Sequence, residues 1–184
     1  VVFTKNIADI TDGRFKIKFE EPGALVPALE CFDAASKGSV ESCWTTPGYH
    51  TGKLGKAVSF FTAVPFGMTG VEMLAWYYHK GGMAQHQELA SLFNLKPFLC
   101  GNTAMQPGGW FNTEITSADD LQGLRFRMPG QGGQVLGRLG ASVQNIPGGE
   151  IYQALASGQI DGAEWIGPFA DERLGFQEVT STYY

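Results

Sequence analysis

Three short apolar runs alternate with two helix-forming segments between residues 124 and 165, and this alternation constrains the fold more than any other feature of the chain. Residues 124–128, 143–146 and 160–165 are predicted strands, and residues 131–139 and 150–157 are predicted helices. Gly158 stands in the usual position of glycine after a helix end. Because strands that alternate with helices favour a mainly parallel sheet, the sequence predicts an α/β fold.

The preceding part of the chain shows a similar rhythm. Its predicted elements are a helix ending at 11–13, strands at 14–19, 40–45 and 57–65, a helix between Pro27 and Gly38, and two helices within 72–94 separated at Gly81. A capped turn at 117–120 starts the second α/β unit. We therefore predict two lobes that enclose a ligand cleft, with lobe I at 1–104, lobe II at 105–163, and a return into lobe I at 164–184.

Polar side chains at the predicted strand ends point to a binding site for a small anion. Arg127 ends one strand, and Glu164 and Trp165 end another. The glycine- and proline-rich segment at 101–112 adds the amide of Gln106. A guanidinium matches a carboxylate in charge and geometry, so Arg127 is the main candidate. Arg125, two residues earlier on the same strand face, is its competitor.

Charge and composition exclude several classes of protein. The net charge of −5 and the pI near 5.1 give no basic footprint, so we expect no nucleic-acid partner. No apolar run approaches the roughly 20 residues of a membrane-spanning helix, and the first residues lack the order of a signal peptide.

The cysteine residues indicate no metal centre. Cys31, Cys43 and Cys100 are irregularly spaced, which fits neither a disulfide framework nor a zinc site. We expect buried free thiols, and the spacing leaves a single disulfide open. The cellular compartment is undecided on this evidence.

Common catalytic motifs are missing. His50, His79 and His86 do not form HExxH, the segment GQGGQVLG at 130–137 lacks the third glycine of a dinucleotide loop, and no GxSxG occurs. The Gly-Lys pairs at 52–53 and 55–56 do not complete a phosphate loop. Cys100 with a distant histidine is left as a candidate nucleophile.

Five motifs together resemble one family, the extracytoplasmic solute-binding proteins of TRAP transporters, in particular the DctP-like group that binds 2-oxo acids. They are LVPALECFDAASKGSVE at 25–41, AVPFGM at 63–68, GNTAMQPGGWFN at 101–112, DLQGLRFRMPG at 120–130 and GGEIYQALASGQIDGAEWIGPF at 148–169. Their order covers essentially the whole chain. Relative to the family, the chain lacks a signal peptide, a first strand and a C-terminal third or more, a portion that often carries a long pairing helix.

The resemblance implies a fold of the periplasmic-binding-protein-like type II class and a receptor that performs no chemistry. Its expected ligand is a small monocarboxylate such as pyruvate, delivered to the TRAP membrane subunits from the periplasm. No catalytic cofactor is expected, and homodimers are associated with the full-length proteins. A carboxylate-processing enzyme and a ligand-sensing module of a signalling protein are the alternatives.

The resemblance also assigns roles to individual residues. Arg127 corresponds to the arginine that binds the substrate carboxylate. Gln106, Glu164 and Trp165 correspond to oxygen ligands of a bridging sodium or calcium ion. The alternative makes Glu164 an arginine partner and Trp165 a core aromatic.

Four weaker candidates complete the predicted site. Tyr49 would donate to the ligand, and Phe66 would wall the cleft. Asn145 has a weaker claim. The amides at 148–149 would face an anion or simply form a turn.

Overall fold

The computed structural model describes residues 2–103 and 105–184 of the chain. Contacts between Cα atoms divide the chain into two compact units, Val1–Cys43 and Trp44–Tyr184. The predicted boundaries at 104 and 163 concern lobes of the whole fold and stay a prediction.

The first unit contains two α-helices, α1 (Val2–Ile10) and α2 (Cys31–Ser36), in its described residues. The helix α1 ends as predicted, with the Thr11 hydroxyl donating to the Ile7 carbonyl at 2.7 Å. The helix α2 follows a short 3-10 turn, Ala28–Glu30, and the chain reverses at Gly38, which has a φ of 74°. The predicted helix between Pro27 and Gly38 is therefore confirmed.

The predicted strand at 14–19 is wrong, because these residues are irregular. Their alternating pattern satisfies one requirement of a strand, but a strand also needs a hydrogen-bonded neighbour. The described residues of the first unit include no second strand that could pair with this segment.

A disulfide joins Cys31 to Cys43 in the first unit, across a sequence separation of 12 residues. It closes a loop around α2, and Cys100 is free and exposed. The expectation of buried free thiols is therefore wrong, and the single disulfide that the spacing left open is the arrangement found. Spacing alone missed it because the turn after α2 brings the two Cα atoms to 5.7 Å.

The strand predicted at 40–45 is wrong, because these residues are irregular. The second unit contains short helices, one of which lies where a strand was predicted at 57–65. They are the 3-10 helix Pro47–His50, α3 (Thr51–Leu54), the 3-10 helix Lys56–Phe61, α4 (Gly70–His79) and α5 (Gly82–Ser91). The strand prediction was wrong at 57–65 because the buried residues there, Val58 and Phe61, are three apart, which suits a 3-10 helix and not a strand.

The break between α4 and α5 is confirmed at Gly81, where φ is 86°. Thr69 and Glu72 form a capping box at the start of α4. Phe61 stacks on Trp76 and on His86, with ring centroids 5.7 and 4.5 Å apart, and this aromatic contact holds the helices together.

A five-stranded sheet forms the rest of the second unit, in the order β3-β2-β4-β1-β5. Its strands are β1 (Trp110–Phe111), β2 (Arg125–Arg127), β3 (Ser142–Gln144), β4 (Gly162–Ala163) and β5 (Thr182–Tyr183). The strands β3, β2 and β4 are parallel, and β1 pairs antiparallel with β4 and β5. The helices α6 (Gly130–Arg138) and α7 (Gly148–Ala156) connect the parallel strands. The predicted α/β class is confirmed for this part of the chain.

The sheet has an apolar core on each face. Trp110 belongs to the cluster around α7, which includes Ile151, Leu155 and Phe176. The next residue, Phe111, packs on Phe126 in the other cluster, as expected from the period of two in a strand.

After β4 the chain forms α8 (Pro168–Asp171) and the 3-10 helices Glu172–Leu174 and Phe176–Glu178 before β5. No helix in the described ranges is long and apolar enough to cross a membrane.

Candidate functional site

Arg127 ends β2, an inner strand of the sheet, and is 1% exposed. Its Nε donates to the Ile146 carbonyl at 3.1 Å. Its Nη1 donates to both the carbonyl oxygen and Oε2 of Glu164, at 2.8 and 3.1 Å. Its Nη2 is buried and has no hydrogen-bond partner among the residues that the structure describes. A buried guanidinium with one unsatisfied nitrogen is unusual, since buried polar groups are normally bonded.

Arg125 starts the same strand, and its guanidinium already has hydrogen-bond partners. Its Nε donates to Asp161 Oδ2 at 2.9 Å, and its Nη1 donates to the Gly158 carbonyl at 2.7 Å. The Asp161 carboxylate also accepts the second arm of the guanidinium. Arg125 therefore fixes the turn after α7, and the geometry favours Arg127 for a ligand.

Glu164 follows β4 and is buried beside Arg127. Burial raises the pKa of the Glu164 carboxyl to about 7, against the opposing effect of the Arg127 charge, and the charge of Asp171 adds to the rise. Near neutral pH this carboxyl can therefore exchange its proton for a cation.

Two aromatic rings flank the Arg127 guanidinium. Its Cζ lies 5.0 Å from the centre of the Trp165 ring and 5.8 Å from that of Tyr49. The Gln106 amide donates from Nε2 to the Trp165 carbonyl at 3.1 Å. The structure therefore brings together five of the six predicted site residues.

Phe66 and Asn145 are not part of this group. Phe66 is fully exposed and has a φ of 60°, and no contact joins it to the Arg127 group in the described residues. Asn145 is exposed and lines a separate pocket at the ends of β2 and β3, with Met128 and Gln144 among its neighbours. Their assignments stay predictions.

The oxygen atoms around Glu164 fit a cation in chemical type. A carboxylate, a main-chain carbonyl and a side-chain amide are hard ligands of the kind that sodium and calcium take. The Gln106 amide can present Oε1 in place of Nε2 by half a turn about its last bond, and a cation would then separate two oxygens that otherwise repel. No group of three or more histidine, cysteine or acidic side chains suited to a metal occurs in the described ranges. The oxygens of Glu164, Gln106 and the Trp165 carbonyl are therefore the ligands to test.

Sequence reasoning missed two residues of this region. Gly148 was interpreted as an anion-binding or flexible turn, but a Cβ at this position would lie 2.3 Å from Cη2 of Trp165. Asp171 was not considered, and it is buried and bonded to the Trp110 indole at 2.9 Å. The pair of glycines at the start of α7 was the only sequence signal for Gly148, and there was none for Asp171.

Replacing Gly148 with Ala is expected to displace the Trp165 indole and weaken ligand binding by about tenfold, since a rigid ring in close contact tolerates little overpacking. Gly149→Ala is the matched control, because a Cβ there meets nothing within 4 Å. Both variants should be compared by calorimetric titration with pyruvate and calcium. Equal affinities for the two variants would contradict the packing argument.

Comparison with known proteins shows the family of the chain. The sequence profile described as bacterial extracellular solute-binding protein, family 7 (DctP), matches residues 1–184. The monocarboxylate 2-oxoacid-binding periplasmic protein of Nostoc sp. is 48% identical over 180 residues, which are 98% of this chain and 49% of that protein.

Two solved structures are also similar along most of the chain. A TRAP transporter solute-binding protein from Bordetella bronchiseptica, a dimer with calcium and picolinate in one active site, is 43% identical with a TM-score of 0.95, covering 98% of this chain and 54% of that one. One from Pseudoalteromonas atlantica, with bound sodium and pyruvate, is 41% identical with a TM-score of 0.93, covering 98% and 55%. This chain thus spans about half the length of these relatives.

The mixed α/β sheet of this chain therefore has the fold of the periplasmic solute-binding proteins of TRAP transporters. The chain belongs to the DctP family, the bacterial extracellular solute-binding proteins of family 7. The resemblance deduced from the five sequence motifs is thereby confirmed.

Proposed function

We propose that this chain forms the ligand-binding part of a TRAP transporter receptor that takes a small monocarboxylate, a 2-oxo acid such as pyruvate, together with a bridging cation. The observation that carries the proposal is the buried Nη2 of Arg127, which lacks a partner among the described residues. The receptor closes on its ligand and hands it to the membrane subunits without chemical change.

Three of the five N–H donors of Arg127 are used by main-chain and carboxylate oxygens, and the two on Nη2 are available. A ligand carboxylate is the acceptor that best matches them in charge and geometry. The flanking rings of Tyr49 and Trp165 favour a small, flat molecule. Tyr49 would donate its hydroxyl to the ligand, and Phe66 would wall the cleft in the complete receptor.

Charge balance supports a bridging cation. Ionised Glu164 already neutralises Arg127, with Nη1 and Oε2 3.1 Å apart. A buried ligand carboxylate would therefore add an uncompensated negative charge, which is costly in a low-dielectric site. A sodium or calcium ion held by Gln106, Glu164 and the Trp165 carbonyl would offset that charge and contact the ligand at the same time.

A periplasmic location agrees with two independent observations. The Cys31–Cys43 disulfide suits an oxidising compartment. The family is one of extracellular solute-binding proteins. Pairing into a homodimer in the full-length protein is part of the proposal, and the Bordetella relative is described as a dimer.

Thermal stabilisation of the full chain by a panel of C2 to C6 oxo, hydroxy and dicarboxylic acids tests the ligand class. Each acid is measured with sodium, with calcium, and after removal of cations. We expect the largest shift for a 2-oxo acid, and only with a cation, by ordinary linkage between binding and stability. A flat panel, or equal shifts without a cation, would contradict the proposal.

Two further measurements separate the alternatives. NMR of pyruvate after long incubation would reveal turnover by a carboxylate-processing enzyme, and we expect an unchanged spectrum. A signalling domain fused in the same reading frame would favour a sensor module.

A further inference from the structure

Asp171 is a buried carboxylate that lies outside the group facing the ligand. It ends α8 and is 1% exposed. Its Oδ1 accepts the backbone N–H groups of Ile166 and Gly167, each at 3.0 Å. Its Oδ2 accepts the indole N–H of Trp110 at 2.9 Å. Three donors from two different segments therefore converge on one side chain.

These bonds connect the two chain segments that would hold the cation, residues 106–110 and 165–167, which we call the two arms of the proposed cation site. Ile166 directly follows Trp165, whose carbonyl is one proposed ligand. Trp110 starts β1 four residues after Gln106, whose amide is another. The contact that closes the two arms is the bond from Gln106 Nε2 to the Trp165 carbonyl, 3.1 Å long. Asp171 thus fixes each arm at a point near the atom that would bind the ion, the amide of Gln106 in one arm and the carbonyl of Trp165 in the other.

The local sequence favours this arrangement. Gly167 precedes α8 with a φ of 162° and a ψ of 169°, an extended conformation that turns its N–H towards the helix end at Asp171. Pro168 then starts the helix without needing a donor. Trp110 pairs through its backbone with Ala163 and Tyr183, so its indole is held against Asp171 by the sheet itself.

We propose that Asp171 is the positioning residue of the cation site, which sets the separation between the Gln106 amide and the Trp165 carbonyl and thereby the affinity for the ion. This inference rests on the proposed function above. Asp171 acts through Ile166, Gly167 and Trp110 and does not itself contact the ion. Groups of this kind around a metal site typically change its affinity by about 10- to 100-fold when they are replaced.

Asp171→Asn tests the proposal in the full chain. The amide has one acceptor and one donor end, so in either orientation its NH2 meets an N–H group that the carboxylate accepted. We expect the affinity for calcium, titrated alone by calorimetry, to fall by about 10- to 100-fold. Pyruvate affinity measured at saturating calcium should return close to that of the parent, because the ligand-facing side chains are unchanged.

Two further variants keep the test decisive. Trp110→Phe removes the indole donor alone. Combined with Asp171→Asn, it also removes the contact between the new NH2 group and the indole N–H, so the double variant should recover part of the calcium affinity. Asp161→Asn is the matched control, since it removes a carboxylate that pairs with Arg125 just before β4, outside the proposed cation site. The control should bind calcium like the parent.

The outcomes are distinct. A lower melting temperature for Asp171→Asn with the calcium affinity of the parent would assign Asp171 a purely structural role and overturn the inference. If the parent itself binds neither cation nor pyruvate, the proposed function fails and this inference with it. A parent that binds both, beside a variant with weakened calcium binding and recovery in the double variant, supports both.

Discussion

Replacing Arg127 with Ala is expected to weaken pyruvate binding by about 2 to 5 kcal/mol, the range found when one partner of a buried charge pair is removed. The ligand carboxylate would lose the buried donors on Nη2 of Arg127, which have no partner among the described residues. Most of the loss should appear as faster release of the ligand. Calorimetric titration at saturating calcium, together with stopped-flow dissociation, measures both quantities.

Arg125→Ala is the matched control for this experiment. It removes the same side chain from the same strand, but one that is exposed and bonded to Asp161. It should bind pyruvate like the parent. Arg127→Lys serves if Arg127→Ala does not fold, since it keeps the charge and loses the planar fork, and it should still bind more weakly than the parent. Parental affinity in both Arg127 variants would rule out Arg127 as the carboxylate ligand.

The second large effect concerns Glu164 and pH. Its pKa of about 7 in the folded protein lies above the ordinary value of 4.5, because burial disfavours the charged form. Because the pKa is higher in the folded protein, Glu164 contributes stability that is fully present below its pKa in the unfolded chain. This stability is lost as the pH rises through its pKa in the folded protein. The difference between these two pKa values corresponds to about 3 kcal/mol in the free energy of unfolding. Without cations, the contribution of Glu164 to the free energy of unfolding should therefore decline between about pH 4.5 and pH 7.

Glu164→Gln isolates this contribution because the amide is similar in shape and does not titrate. In chelator, urea unfolding at pH 5, 6, 7 and 8 should give a free energy of unfolding for the variant that rises relative to the parent by up to about 3 kcal/mol. Calcium should restore the free energy of unfolding of the parent at pH 8 and leave that of the variant unchanged. Parallel pH curves for the two proteins would contradict the raised pKa.

Local patterns were enough to predict the part of the fold that supports the site. Strands β2, β3 and β4 and helices α6 and α7 lie within a residue or two of their predicted positions, apart from β4, which is shorter. Their signals are short apolar runs and glycines at helix ends, which depend on neighbours along the chain. The segments at 14–19, 40–45 and 57–65 failed because a strand also needs a partner strand, which local sequence does not supply.

The chemistry of the site was visible in the sequence, whereas its arrangement was not. The pattern placed Arg125 and Arg127 on one strand face, with Arg127 at the strand end as the main candidate, and the resemblance to a family also favoured Arg127. In the tertiary structure Asp161 engages Arg125, while Arg127 is buried beside Glu164 with one nitrogen unpaired among the described residues. That difference depends on a residue more than thirty positions away in the chain.

The sequence by itself determined which donors and acceptors are available, namely a guanidinium, a carboxylate and an amide near strand ends, together with the α/β alternation that carries them. Only the tertiary structure decided that Cys31 meets Cys43, that Trp165 lies against Gly148, and that Asp171 joins the two arms of the proposed cation site. Helix and strand periods report which face of an element is buried, but contacts between distant segments and the burial of a charge arise only when the elements pack.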